Sequence, residues 1–169
     1  MKLFSLLAAT ISLSLALEIG QVPETIILEG ENGGTTKGEA FSSESLKDKV
    51  HVLFYVDPDE KDLNEHVVTA LKEQAFDREK YASVAIINMA ATWLPNFAIA
   101  SKLKAKQKEH PHTLHVKDLQ SVLVKKWDLR DDSSNIVLFA KDRKVLFVKK
   151  GKLSEEEVHT LISTIKENL

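Results

Sequence analysis

The sequence predicts an α/β domain in which a central mixed sheet is flanked by helices and ends in a C-terminal β-hairpin and a closing helix. Residues 51–56 and 83–88 are apolar runs of strand length joined by a helical pattern, which is typical of two parallel strands in a βαβ unit. Residues 136–148 have the pattern of an antiparallel hairpin, and 154–165 that of an amphipathic helix. Neither a repeat nor a linker interrupts these patterns, so residues 17–169 are expected to form one domain.

The segment before the first core strand is rich in turn signals. Residues 25–28 are a candidate edge strand, and the glycine-rich stretch 29–38 predicts a loop or a loose hairpin. No helix follows these glycines, so they are interpreted as turn residues and not as a phosphate-binding loop. Residues 41–46 are expected to form one helical turn.

The stretch 51–72 is expected to organise the domain, because a buried strand here leads directly into a helix. Asp57 is a candidate N-cap, Pro58 suits the first helical position, and Glu60 stands three residues beyond the cap. Apolar residues then recur at helical spacing, and the helix is predicted to end near residues 77–80.

A second helix is predicted after the loop 89–96 and is expected to end near Glu109. Its inward residues are expected to be Phe97, Ala100 and Leu103. Its four lysines fall on opposite flanks at helical spacing, which predicts a solvated surface and no stripe for a phosphate backbone.

The remaining elements complete the sheet and cover it. Residues 113–116 and 122–129 alternate in the manner of exposed strands. After the hairpin, Ser154 and Glu157 form a capping box at the start of the last helix.

The N-terminus has the features of a secretory signal peptide. A lysine at position 2 precedes an apolar run over residues 3–15, and the small residues Ser14 and Ala16 indicate cleavage after Ala16. The run is shorter than the ~20 residues that a membrane span needs. The sequence therefore predicts a signal peptide at 1–16, a periplasmic protein, and no membrane contact after cleavage.

Charge and cysteine content exclude several functions. The formal net charge is −2 at neutral pH, which argues against binding of nucleic acid. Cysteine is absent, which excludes thiol–disulfide catalysis, a cysteine zinc site and a lipid-modified N-terminal cysteine.

Five short motifs, in their order and spacing, carry a resemblance to a known family. They are KVHVL at 49–53, IIN at 86–88, WDL at 127–129, DSS at 132–134 and KLSEEEV at 152–158. In these motifs and in its order of elements, the chain resembles the YtfJ-like family of exported bacterial thioredoxin-fold proteins. The resemblance implies a periplasmic thioredoxin-like domain. Some relatives are labelled predicted transcriptional regulators, and export of the chain argues against that role.

The chain departs from redox-active thioredoxins at both halves of their reaction site. Redox members begin the first helix with Cys-x-x-Cys, where the helix dipole lowers the pKa of the thiol. This sequence has DPDEKD at 57–62 instead. Redox members also carry a cis-proline before the hairpin, whereas Ser134 and Asn135 lead into Ile136 here. The resemblance therefore implies a thioredoxin scaffold without its dithiol chemistry.

Three loops with polar residues are expected to share one edge of the sheet, where open α/β sheets usually bind ligands. The candidate interaction surface consists of Asp57, Pro58, Asp59, Glu60, Asp62, Trp93, Asp131, Asp132, Ser133, Ser134 and Asn135. Helix capping and dipole compensation explain the carboxylates of the first loop. The alternatives are a Ca²⁺ or Mg²⁺ site and general acid–base chemistry.

Three histidines within six residues, His110, His112 and His115, form a candidate metal site. Imidazoles are ligands for Zn²⁺, Cu²⁺ and Ni²⁺. His110 and His112 would share one strand face, whereas His115 would point to the other face and Pro111 breaks the regularity. A polar turn with solvated histidines is therefore the preferred interpretation, and a weak metal site is the alternative.

These observations favour a non-redox binding or protein-interaction module with no catalytic residues and no bound cofactor. Its expected partner is a protein or small molecule of the periplasm. The alternative is a metal-binding protein or a metal-assisted enzyme that uses the histidines or the acidic loops.

Overall fold

The computed structural model describes residues 16–169, so the predicted signal peptide lies outside the described residues except for Ala16. The elements follow in the order β1 (Ile27–Leu28), β2 (Gly33–Thr35), β3 (Phe41–Ser42), β4 (Val50–Val56), α1 (Glu65–Glu73), β5 (Tyr81–Asn88), α2 (Asn96–Glu109), β6 (Thr113–Asp118), α3 (Val122–Trp127), β7 (Ser134–Phe139), β8 (Val145–Lys150) and α4 (Glu155–Asn168).

Six strands form one mixed sheet in the order β2-β6-β5-β4-β7-β8. Strands β4, β5 and β6 are parallel to one another, and β7, β8 and β2 each run antiparallel to an inner neighbour. Strands β1 and β3 form a separate antiparallel pair. The predicted mixed sheet, with its hairpin and closing helix, is confirmed.

The two faces of the sheet carry separate apolar cores. Because side chains alternate along a strand, β4 contributes Leu53 and Tyr55 to one face and Val52 and Phe54 to the other. Helix α3 and the N-terminal segment cover the first face, where Trp127 is fully buried. Helices α1 and α4 cover the second face. The capping box of Ser154 and Glu157 at the start of α4 is confirmed.

The prediction of a helix starting at Asp57 is wrong, since α1 begins at Glu65. Asp57 accepts a hydrogen bond from the Asp59 N–H at 2.8 Å and caps only a single 3₁₀ turn, Pro58–Glu60. The chain then bends, and the side chain of Asn64 bonds to the C-terminal hairpin and not to the helix it precedes. These tertiary bonds outweigh the local capping signal. Helix α1 also ends at Glu73, earlier than predicted.

The prediction of a strand over residues 122–129 is also wrong, because this segment contains helix α3. Asp118 accepts hydrogen bonds from the N–H groups of Val122 and Leu123, at 2.9 and 3.1 Å, and so fixes the first turn of the helix. In this helix Leu123 and Trp127, four residues apart, lie on one face and are both buried.

Helix α2 is positioned as predicted, but its inward face differs. Ile99 and Leu103 are buried, whereas Phe97 is 78% exposed, so the prediction of an inward Phe97 is wrong. The predicted exposed strand at 113–116 belongs to β6, which is paired on both sides.

The glycine-rich stretch 29–38 is predicted to be a loop or a loose hairpin. In the structure it also contributes β2, an outer strand of the sheet. Gly33 has φ +135°, and a Cβ at this position would lie 1.9 Å from the carbonyl oxygen of Lys117. Only glycine permits this approach of β2 to β6.

The other outer strand, β8, is partly covered by the N-terminal segment. The Gly20 N–H donates to the Val145 carbonyl at 2.7 Å, and the Val145 N–H donates to the Gln21 carbonyl at 2.9 Å. At the far end of β8, Lys149 pairs with Glu157 and Lys150 pairs with Asp128.

Candidate functional site

The three predicted loops meet at the carboxyl ends of β4 and β5. Val56 pairs with Ser134 in the sheet, and the Asp57 N–H donates to the Ser133 carbonyl at 2.9 Å. Asn88, the last residue of β5, donates from Nδ2 to Asp131 Oδ1 at 2.7 Å. Because Asn88 leads into the loop that carries Trp93, the structure brings all three loops to one edge of the sheet.

The predicted surface residues divide into two groups by exposure. Four of them are buried beneath the exposed residues of the loops: Asp57, Ser133, Ser134 and Asn135. The others are at least partly exposed, and we call them the acidic corner: Pro58, Asp59, Glu60, Asp62, Trp93, Asp131 and Asp132.

The carboxyl group of Asp57 lies beneath this corner in an unfavourable environment for charge. Burial raises the pKa of Asp57 above its ordinary value, and the hydrogen bond from the Asp59 N–H opposes the rise. The negative charges of Asp59 and Asp132 raise the pKa of Asp57 further. The corner therefore concentrates negative charge.

Two asparagines hold the loops of the acidic corner in place. Asn135 donates from Nδ2 to the Arg130 carbonyl at 2.8 Å and accepts from the Arg130 N–H at 2.9 Å. Asn88 accepts from the Ser121 hydroxyl at 2.9 Å, in addition to its bond to Asp131. The loops are thus fixed to the sheet by partly buried hydrogen bonds, which reduces the cost of ordering them in any contact.

Asn64 is a buried junction that sequence reasoning missed. Its Nδ2 group donates to Ser134 Oγ and to the Gly151 carbonyl, both at 3.1 Å. Its Oδ1 accepts from the Leu153 N–H at 3.0 Å. One side chain therefore joins the start of α1 to β7 and to the segment that leads into α4.

Asp118 is the second buried junction that sequence reasoning missed. Its carboxylate is fully buried at the end of β6 and accepts from the Tyr55 hydroxyl at 3.0 Å. It also accepts from three backbone N–H groups, including those at the start of α3. Burial, reinforced by the negative charge of Asp118, raises the pKa of Tyr55 far above its ordinary value. The strand that Asp118 ends alternates polar and apolar residues, so the sequence gives no signal that this carboxylate is buried.

The structure does not bring the three histidines of the candidate metal site together as one ligand set. His115 is buried, with Nδ1 3.0 Å from the Thr113 carbonyl oxygen, while His110 and His112 are exposed. Within residues 16–169, no group of three or more His, Asp or Glu side chains is placed to hold a metal ion. A weak metal site that uses His110, His112 and His115 therefore stays the alternative to a polar turn with solvated histidines, and a Zn²⁺ titration can test it.

Two buried histidines should make the protein less stable in mild acid. Burial lowers the pKa of both His51 and His115 below the ordinary value of about 6.5. At pH values between the lowered pKa of the folded protein and the ordinary pKa of the unfolded chain, these two histidines bind more protons in the unfolded chain than in the folded protein. The stability that the neutral histidines contribute is therefore present above about pH 6.5 and lost as the pH falls through their folded pKa. Urea unfolding at about pH 7 and pH 5 measures this loss.

A double variant, His51→Gln with His115→Gln, should show a smaller loss of stability between these two pH values. His159 is exposed on α4, so His159→Gln should leave the loss unchanged. Equal losses in the double variant and the unmodified protein would contradict the prediction.

A comparison with protein families identifies the family of the chain. Residues 24–168 match the family described as "Bacterial protein of unknown function (YtfJ_HI0045)". The chain belongs to the YtfJ_HI0045 family. It is 32% identical over 144 residues to an uncharacterised protein of Haemophilus influenzae, a match that covers 83% of this chain and 76% of that protein. It is 26% identical over 135 residues to YtfJ of Escherichia coli K12, which covers 78% of this chain and 73% of that one.

A comparison with solved structures identifies the fold. The structure of this YtfJ_HI0045 family member is similar to that of an exposed lipoprotein thioredoxin of Streptococcus pneumoniae, with a TM-score of 0.62. The match covers 85% of this chain and 99% of that one at 12% sequence identity. At this identity the likeness shows a thioredoxin-like fold and nothing about activity.

The absence of cysteine limits what this YtfJ_HI0045 family member can do with a thioredoxin-like fold. No thiol is present anywhere in the sequence, so dithiol exchange at the start of the first helix is excluded. Within residues 16–169, no helix combines the length and the apolar character needed to cross a bilayer.

Proposed function

We propose that the protein is a non-redox binding module of the periplasm, and that its acidic corner contacts a basic surface of a partner protein. The observation that carries the proposal is Trp93, whose side chain is 85% exposed at an edge of the sheet rich in carboxylates. Exposed tryptophan is costly in water and is enriched among the residues that dominate binding energy at protein interfaces.

Charge and rigidity support the same proposal. Asp59, Asp131 and Asp132 are exposed at this edge, and a cluster of one sign attracts and orients a partner of the opposite sign. The partly buried hydrogen bonds of Asn88 and Asn135 hold the loops in place before a partner binds. A preformed surface of this kind suits recognition of a partner.

The periplasmic location is supported by the signal-peptide pattern of residues 1–16. A similar solved structure also comes from a protein named an exposed lipoprotein. Fractionation of cells that express the full chain tests the location, and a cytoplasmic protein that retains residues 1–16 would contradict it.

Site-specific photocrosslinking in cells tests the proposed surface. A photoreactive amino acid replaces Asp59 in one variant and Glu79, which is exposed near the amino end of β5, in a control variant. We expect an adduct of defined mass from position 59 and none of that mass from position 79. The further change Trp93→Ala should reduce the adduct at least about tenfold, since a central tryptophan often contributes more than ~2 kcal/mol.

Salt provides an independent readout on the same adduct. Because the corner is solvent-exposed, its attraction for a basic partner should weaken as salt is raised above about 0.15 M. The same adduct from both positions, or an adduct indifferent to Trp93→Ala, would show that the acidic corner is not the contact surface.

A further inference from the structure

A large apolar groove lies between α1 and α2 on one face of the sheet. Its volume is about 880 Å³, within the range of small-molecule sites in proteins. Phe54, Ala85 and His115 are register partners across β4, β5 and β6 and form its floor. The groove opens over a face of the sheet and reaches the acidic corner at one end, where Pro58 belongs to both surfaces.

The walls of the groove are mainly aliphatic and aromatic. Val68 and Leu71 line it from α1, and Ile99 and Leu103 line it from α2. Val68 remains 45% exposed, so the apolar surface of the groove is in part left in contact with water. Covering such a surface with an apolar chain is favourable at roughly 25 cal/mol per Å² of buried area.

The charged residues along the groove are strongly asymmetric. Both helices run from the carboxyl ends of the parallel strands towards their amino ends, and most of the charges lie near the amino ends. The cationic and imidazole side chains towards that end are Lys72, Arg78, Lys106, His110 and His112, and Lys102 lies at the middle of α2. Among the described residues that line the groove, Glu109 is the only acidic one, and it pairs with Lys106 at 3.0 Å.

The opposite end of the groove lacks this excess of positive charge. Lys61 lies there, and its ammonium group pairs with Asp62 at 2.6 Å. At the amino end, Arg78 contacts His112 through one nitrogen, and a guanidinium group has five donors. Donors therefore remain at this end for an anionic group.

The groove is apolar along its length and cationic at the end near the amino ends of the strands. A ligand with an apolar chain and an anionic head group would match it. We propose that the groove binds a long-chain carboxylate, with the alkyl chain over Ala85 and between α1 and α2. The carboxylate then lies near Arg78 and Lys102. This inference does not depend on the proposed contact at the acidic corner, since the two surfaces share no exposed carboxylate.

Three probes separate the contributions of chain and head. Isothermal titration calorimetry with dodecanoate, dodecyltrimethylammonium and acetate, each below micelle-forming concentrations, compares the anionic amphiphile with a cationic amphiphile and with the head alone. We expect saturable binding of dodecanoate, binding at least about tenfold weaker for the cationic probe, and none for acetate.

Matched variants on α2 test the position of the head. Lys102 lines the groove and Lys104 does not. Lys102→Glu should weaken dodecanoate binding about tenfold, corresponding to ~1.4 kcal/mol, whereas Lys104→Glu should leave it unchanged. A third variant, Ala85→Phe, should fill the floor and abolish binding, with circular dichroism as the check on folding.

The results that overturn the proposal are equally specific. No saturable binding of dodecanoate, equal affinity for the two amphiphiles, or equal effects of the two lysine variants would each reject it. Concentration-dependent dimerisation that competes with dodecanoate and disappears in Ala85→Phe would assign the groove to a second copy of the chain instead. If Ala85→Phe does not fold, the probe comparison and the lysine pair still decide the question.

Discussion

Replacing Asp118 by alanine should lower the free energy of unfolding by about 3–5 kcal/mol. The carboxylate is fully buried and accepts four hydrogen bonds, from the Tyr55 hydroxyl and from the N–H groups of Gln120, Val122 and Leu123. Alanine leaves these donors without an acceptor, and the buried ones cannot turn to water. Urea unfolding followed by circular dichroism measures the loss.

Two further variants show whether the effect comes from the lost acceptor. Asp118→Asn keeps one acceptor oxygen and should cost clearly less than Asp118→Ala. Glu73→Ala, an exposed position at the end of α1, should change stability by no more than about 0.5 kcal/mol. A loss below about 1 kcal/mol in Asp118→Ala would mean that α3 does not depend on this carboxylate. Hydrogen exchange at Val122 and Leu123 should also accelerate in Asp118→Ala.

Replacing Asn64 by alanine should lower the free energy of unfolding by about 2–4 kcal/mol. The side chain joins α1 to Ser134, Gly151 and Leu153, and it is 2% exposed. Its removal leaves the Leu153 N–H unpaired in the interior and loosens the contact between α1 and the hairpin. Thermal and urea unfolding of the purified protein measure the effect.

A double-mutant cycle isolates the bond between Asn64 and Ser134. Asn64→Ala and Ser134→Ala should couple by about 0.5–1.5 kcal/mol, because each variant removes the same Nδ2-to-Oγ contact. Asn96→Ala, at an exposed position at the start of α2, should be near neutral in comparison. Additive losses in the double variant would show that Asn64 acts through its other bonds alone.

The strongest apolar patterns in the sequence were sufficient to predict the central sheet and the closing helix that packs on it. Strand β4, strand β5, the hairpin and helix α4 each carry a long periodic signal, and their order indicated a thioredoxin-like fold. The absence of cysteine then excluded the redox chemistry of that fold without any coordinates. The meeting of the three loops followed from the positions of the strand ends.

The errors arose where a buried side chain overrides a local pattern. The capping signal at Asp57 is present in the sequence, but Asn64 bonds to residues about 70 to 90 positions away, and no local pattern predicts that contact. The alternation of residues over 122–129 favoured a strand, whereas Asp118 fixes the start of a helix there. The groove was missed for a different reason, since its walls come from two helices whose spacing only the tertiary structure defines.

The outer strands of the sheet restrict how any partner can be recognised. Strand β2 is three residues long and includes Gly33. The outer side of β8 is bonded to Gly20 and Gln21 at one end and carries the paired side chains of Lys149 and Lys150 at the other. In the part of the chain that the structure describes, neither border offers a long free row of backbone groups to an incoming peptide. Recognition of the proposed partner is therefore expected to depend on side chains, and its selectivity could then change through single substitutions while the backbone stays the same.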